Sequence, residues 1–153
     1  MLRVSRLTDY ATLVMACLGD TGEGVLSAQT LADRARLEAP TVSKLLKQLA
    51  QAGLVVSTRG ANGGYRLARA PESITVADIV TAMEGPIGMT ECSVQPGNCN
   101  LEPWCGMRVN WQRINRAIAD AFASVTLADM IHAPPPARHA TTIPLRVAAG
   151  RVS

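Results

Sequence analysis

The sequence predicts a mainly α-helical winged helix-turn-helix with a two-stranded β wing, a cysteine loop and a long C-terminal dimerisation helix. Three observations carry this. Two short amphipathic segments flank a tight turn, a glycine-rich hairpin follows them, and a heptad-spaced segment closes the regular part of the chain.

The elements follow in order. Leu7, Ala11, Val14 and Leu18 recur at helical spacing, which predicts a helix over 9–18 with Thr8 as its N-cap, broken by Gly19 to Gly24. Ser27 opens a second short helix whose face is Leu31, Ala32 and Ala35. A third runs from Ala39-Pro40-Thr41 through Ala50, with Pro40 in its first turn and Gly53 at its end. Val42, Leu45, Leu46 and Leu49 point inward there, leaving Thr41, Ser43, Lys44 and Lys47 on or near the outer face. LVVST and GYRLAR are β-prone runs separated by RGANG, the pattern of a hairpin. ITVADIVTAME reads as a further helix ended by Gly85-Pro86. Between Pro86 and Cys105 no periodicity survives, which predicts an irregular loop. Met107, Trp111, Ile114, Ile118, Ala121 and Val125 then form a heptad seam, more in keeping with a helix packed on a partner's than with intrachain packing in so short a chain. The expected organisation is a DNA-binding region at 1–70, a helix plus cysteine loop at 71–105, a dimerisation helix at 106–132, and a disordered tail at 133–153.

Composition narrows the function classes. With 153 residues, 48% of them hydrophobic, the chain suits one compact domain or a domain plus an arm and excludes a large multidomain enzyme. Five aromatic residues (Tyr10, Tyr65, Trp104, Trp111 and Phe122) are too few for an aromatic single-strand-binding platform. The formal charge of +3 hides a division: residues 1–70 carry nine basic against five acidic side chains, and residues 71–132 carry three against seven. No run approaches the roughly 18 apolar residues of a membrane span. Asp9 and Tyr10 interrupt the apolar stretch before Cys17, so an export signal is not expected and the chain reads as cytoplasmic. The two histidines, His132 and His139, lie near or in the tail, and no nucleophile–base pair or phosphate loop is present, so no enzyme is expected.

The expected partner of the front half is double-stranded DNA. The second helix of a helix-turn-helix presents its N-terminal residues to base edges, here Ala39, Pro40, Thr41, Ser43 and Lys44, while Lys47 suits a phosphate. Arg59, Asn62 and Gly63 stand at the tip of the wing, where a cation on a thin turn suits a minor groove or a phosphate. The bland alternative is a small protein-interaction domain of the same shape.

Cys92, Cys99 and Cys105, spaced C-x6-C-x5-C in one loop, favour a metal centre. Their spacing suits an iron–sulfur cluster better than structural zinc, whose thiols usually come in closer pairs. A fourth ligand is missing locally unless Glu91 or Glu102 supplies it, and Cys17 is expected in a helix core.

These motifs resemble the Rrf family of bacterial winged-helix transcription regulators, with its IscR/NsrR-like iron–sulfur sensors. The likeness covers about residues 1–130 and rests on LRVSRLTDYA, on LADRARLEAPTVSKLLKQLAQAGLVVSTRGANGGYRLAR and on the three-cysteine loop before a long helix. LTDYA and NWQRIN look most like the branch regulating the SUF iron–sulfur assembly system. The resemblance implies a homodimer crossed through the helix at 107–129, using Met107, Trp111, Ile114, Ile118 and Val125. It also implies one cluster per subunit, 2Fe–2S or 4Fe–4S, on Cys92, Cys99 and Cys105. IscR-like members place a His three residues after the last Cys; Arg108 stands here, which excludes the His-ligated version. In the nitric-oxide-sensing branch an Asp in the first helix reaches the partner's cluster, and Asp9 matches it, although a first-turn acid also suits the helix dipole. A nitric-oxide-responsive repressor, a thiol-only switch and an iron–sulfur electron carrier are the alternatives.

Overall fold

The computed structural model describes residues 3–22, 24–95, 97 and 99–132. Helix α1 (Arg6–Asp20) is capped by Ser5, whose Oγ accepts the Thr8 N–H at 3.2 Å. The cap therefore stands three residues ahead of the expected Thr8. The Thr8 hydroxyl is buried and donates instead to Glu84 Oε1 at 2.5 Å, while Ser5 N–H donates to the same oxygen at 2.8 Å. Ala11, Val14, Met15 and Leu18 fill the inner face, whereas Leu7 is exposed.

Helix α2 (Ala28–Ala35) is capped by Ser27 and ends on Arg36, which adopts the left-handed backbone conformation (φ 54°, ψ 44°). Helix α3 (Ala39–Gln51) starts with Pro40 in its first turn and buries Val42, Leu45, Leu46 and Leu49, as the apolar spacing predicts. Gly53 follows at φ 73°, a conformation that favours glycine.

Strand β1 (Val55–Thr58) pairs antiparallel with β2 (Gly64–Leu67), from Val55 opposite Leu67 to Thr58 opposite Gly64. Leu26 adds a bridge on the other edge of β2: its N–H donates to Tyr65 O at 2.9 Å and its carbonyl accepts the Tyr65 N–H at 2.7 Å. This contact and the tightness of the hairpin together explain the double glycine of the wing. A Cβ at Gly63 would collide with the Thr58 carbonyl, and one at Gly64 with the Leu26 carbonyl.

A 3₁₀ turn (Pro71–Ser73) leads into α4 (Val76–Glu84), which opens on a reciprocal capping box of Thr75 and Asp78. Ile74 and Ile79 are buried in the core formed by α1, α2 and α3. Within the expected irregular loop lie a single turn of helix, α5 (Glu91–Val94), and a 3₁₀ turn at Glu102–Trp104.

The expected helix over 107–129 is two helices, α6 (Arg108–Ala123) and α7 (Leu127–Ile131). A second capping box, Thr126 with Asp129, stops one and starts the other. The connection is fastened to the core, because Val76 N–H donates to Val125 O at 2.9 Å and Leu127 N–H to Ile74 O at 2.8 Å. Leu127 is fully buried and α7 packs on α1, so this segment completes the winged-helix core instead of extending the long helix. The expected tail at 133–153, with His139, lies outside the described residues.

Candidate nucleic-acid interface and cysteine loop

Burial of one face of α3 leaves the other free. Ser43, Lys44 and Lys47 are exposed beside the buried Val42, Leu45, Leu46 and Leu49, and Pro40 is exposed in the first turn, with Ala39 and Thr41 half-buried. The first turn of α3 has no side-chain cap, unlike α1, α2, α4 and α7, so its leading N–H groups have no cap acceptor. At the wing tip Arg59 and Asn62 are exposed and Gly63 is half-buried at the foot of the turn. Arg36, exposed at the turn between α2 and α3, is a cation that the spacing argument passed over. Its signal was a position that usually calls for glycine but holds arginine.

The cysteine loop is attached to α6 at two places. At its entrance Asn115 works as a backbone mimic: its amide donates to Ile87 O at 3.1 Å and its oxygen accepts the Met89 N–H at 3.2 Å. At its exit Arg108 pairs with Glu102 Oε1 at 2.7 Å, and Gly97 N–H donates to Glu102 Oε2 at 2.6 Å. Between them Cys92 lies on α5, Cys99 in the following loop, and Cys105 at the end of the 3₁₀ turn. All three are free and half-buried, and Cys92 Sγ lies 3.3 Å from Thr90 Oγ1. The contacts of Asn115, the pairing of Glu102 with Arg108 and the Ser5–Thr8–Glu84 contact were not legible in the sequence, since each joins residues with no periodic relation.

The expected ligands are not gathered into one set. Among the described residues no group of three or more His, Cys, Asp or Glu side chains is placed to hold a metal ion. Asp9 is exposed in the first turn of α1. The donor chemistry nevertheless fits an iron–sulfur centre: three thiols share a loop that leads into Arg108 at the start of α6, whose Nε is buried with no hydrogen-bond partner among the described residues. Cys17 is separate from this loop, half-buried against the core, and its pKa is raised by burial, partly opposed by Arg34.

The expected dimer seam divides in two. Met107, Trp111 and Ile114 are 62%, 40% and 45% exposed, so the start of α6 presents an apolar face that none of the described residues covers. Ile118 is half-buried and, with Phe122, lines a cavity of about 180 Å³ against Val4, Val80 and Glu84. Val125 is half-buried in the connection to α7.

An uncapped helix with a cationic outer face, an Arg-tipped wing and an appended cysteine loop define a winged-helix DNA-binding transcription regulator. Residues 4–133 match the Rrf2 family, described as an iron-dependent transcriptional regulator, and the chain belongs to that family. It is similar to the regulator CymR of Bacillus subtilis (strain 168), 35% identical over 84% of this chain and 89% of CymR. The solved CymR structure, titled the global cysteine regulator, has a TM-score of 0.69 over 88% of this chain and all of that one, at 33% identity. The regulator NsrR of Bacillus licheniformis is 28% identical over 85% of this chain and 92% of its own. The structure of IscR from T. potens matches with a TM-score of 0.66 and 34% identity over 91% of this chain and 93% of that one. These relatives are transcription regulators, not enzymes. Among the described residues no helix is long and apolar enough to cross a membrane.

Proposed function

We propose that this chain is a cytoplasmic, homodimeric regulator whose affinity for a double-stranded DNA operator depends on an iron–sulfur cluster, and that it controls iron–sulfur assembly genes of the SUF type in response to cluster, iron or oxidative status. The observation that carries the proposal is the set of three free, half-buried thiols in a loop fastened at both ends to α6. Similarity to IscR and NsrR supports it. Cys92, Cys99 and Cys105 would hold the cluster, with Asp9 of the partner subunit as fourth ligand, once the loop closes to bring the thiols together. When bound, such a cluster supplies a centre sensitive to oxygen, nitric oxide and iron supply.

The chain's own residues do the rest. Ala39, Pro40, Thr41, Ser43 and Lys44 meet base edges, Lys47 meets a phosphate, and Arg59, Asn62 and Gly63 carry the wing to the backbone or minor groove. Met107, Trp111 and Ile114 pack across the dimer, which sets the spacing of the two reading helices at about one helical turn of DNA, near 34 Å. A change in the loop reaches α6 through Asn115 and Arg108, and α6 sets that spacing. The same geometry serves a nitric-oxide-responsive repressor, which Asp9 in α1 equally permits; operator release on exposure to nitric oxide or to oxygen separates the two.

A thiol-only switch is the second reading, favoured by the separation of the three cysteines and by the similarity to CymR. Anaerobic purification with a visible spectrum and counts of iron and acid-labile sulfide separates the two. Iron and sulfide bound in a ratio near one supports the cluster; their absence from fresh anaerobic protein leaves the thiol switch.

A further inference from the structure

Glu102 looked in sequence like a local fourth ligand, being a carboxylate between two of the three cysteines. Its surroundings give it other work. The side chain is 9% exposed and both of its oxygens are engaged: Oε1 with Arg108 at 2.7 Å and Oε2 with Gly97 N–H at 2.6 Å. Its backbone is engaged too. Its N–H donates to Cys99 O at 3.0 Å, and its carbonyl accepts the Cys105 N–H at 3.4 Å. One residue thus holds the backbone ahead of Cys99, the carbonyl of Cys99, the amide of Cys105 and the first residue of α6. A carboxylate with both oxygens committed to a cation and an amide must give up one of these contacts to turn toward a metal, and Glu102 is the buried member of a pair whose Arg108 side chain is 37% exposed.

We infer that Glu102 is the positioning residue of the cysteine loop, an internal anchor that sets where Cys99 and Cys105 stand relative to α6 and that is not itself a ligand. Arg108 is its counterpart. Its Nη2 reaches Glu102 Oε1 from the first residue of α6, which ties the loop to the helix. The inference holds whether or not the loop carries a cluster, because each contact lies within the metal-free chain.

The test is the rate at which a maleimide labels each cysteine in the reduced, metal-free full-length protein, resolved by mass spectrometry. Glu102→Gln should speed labelling of Cys99 and Cys105 about tenfold, the size expected for loss of a charge-assisted hydrogen bond, and leave Cys17 in the winged-helix core unchanged. Glu102→Asp should restore part of the protection. Arg108→Met should act in the same direction as Glu102→Gln, and the double variant should add little to either, since the two side chains form one interaction. Unchanged rates at Cys99 and Cys105, or a parallel rise at Cys17, would overturn the inference. If Glu102→Gln does not fold, Arg108→Met carries the same expectation. Failure of the chain to bind iron and sulfide would remove the cluster proposal and leave this one standing.

Discussion

Thr8 is the buried polar side chain of a core otherwise made of aliphatic groups and methionine, and its hydroxyl ties α1 to the last residue of α4 through Glu84. Accepting from Thr8 and from the Ser5 N–H holds the Glu84 carboxyl below the usual carboxylate range. A carboxyl depressed in the folded state adds stability at pH values above its unfolded pKa and loses it as pH falls through the lower folded value. Thr8→Val should therefore destabilise the chain by about 1 kcal/mol near neutrality. The gap from wild type should narrow in acid, as urea midpoints at both pH values would show. Arg36 offers the opposite case. Its left-handed backbone costs about 1 kcal/mol relative to glycine, so Arg36→Gly should raise the thermal midpoint. If the guanidinium also meets a phosphate, the same variant binds an operator more weakly at low salt. Thr8's effect was invisible in the sequence because it acts through a distant partner, and that of Arg36 because it acts through a backbone angle that only its place at the end of α2 hinted at.

The elements were legible where one periodicity governed them. The inward face of α3 follows from its spacing alone, and the hairpin from Gly and Asn between two β-prone runs. The break between α6 and α7 was hidden because Val125 continues the heptad spacing. The capping pair Thr126 and Asp129 marked it, and weighing that pair against the apolar pattern would have placed the end of α6. The three cysteines were readable as a set, but their separation in the loop was not, since spacing along the chain says nothing of convergence. Two predictions belong to this scale. Gly64→Ala drives a Cβ into the Leu26 carbonyl and should detach the Leu26 bridge from the wing, costing about 2 kcal/mol in urea unfolding. Arg59→Ala should leave stability unchanged while weakening binding across DNA sequences and lowering the salt slope of the affinity by about 1. An unchanged slope would place Arg59 away from the phosphates.

For the molecule as a whole, the formal charge of +3 reads as a division of labour between a basic front half and an acidic segment carrying the loop and α6. The exposed apolar face of α6 belongs to this scale, because the proposed dimer covers it with a second copy. Ile114→Glu should convert a dimer to a monomer in sedimentation equilibrium and sharply weaken operator binding while the winged helix keeps its thermal transition. The cysteine loop joins the two halves, and its state is proposed to set how the dimer presents its reading helices. An operator titration comparing anaerobically purified protein, its metal-free form and Cys99→Ala tests that link most directly. Anaerobic protein should differ from the other two by about 5-fold to 150-fold in affinity, the usual range of allosteric coupling. Three superimposable binding curves would contradict it.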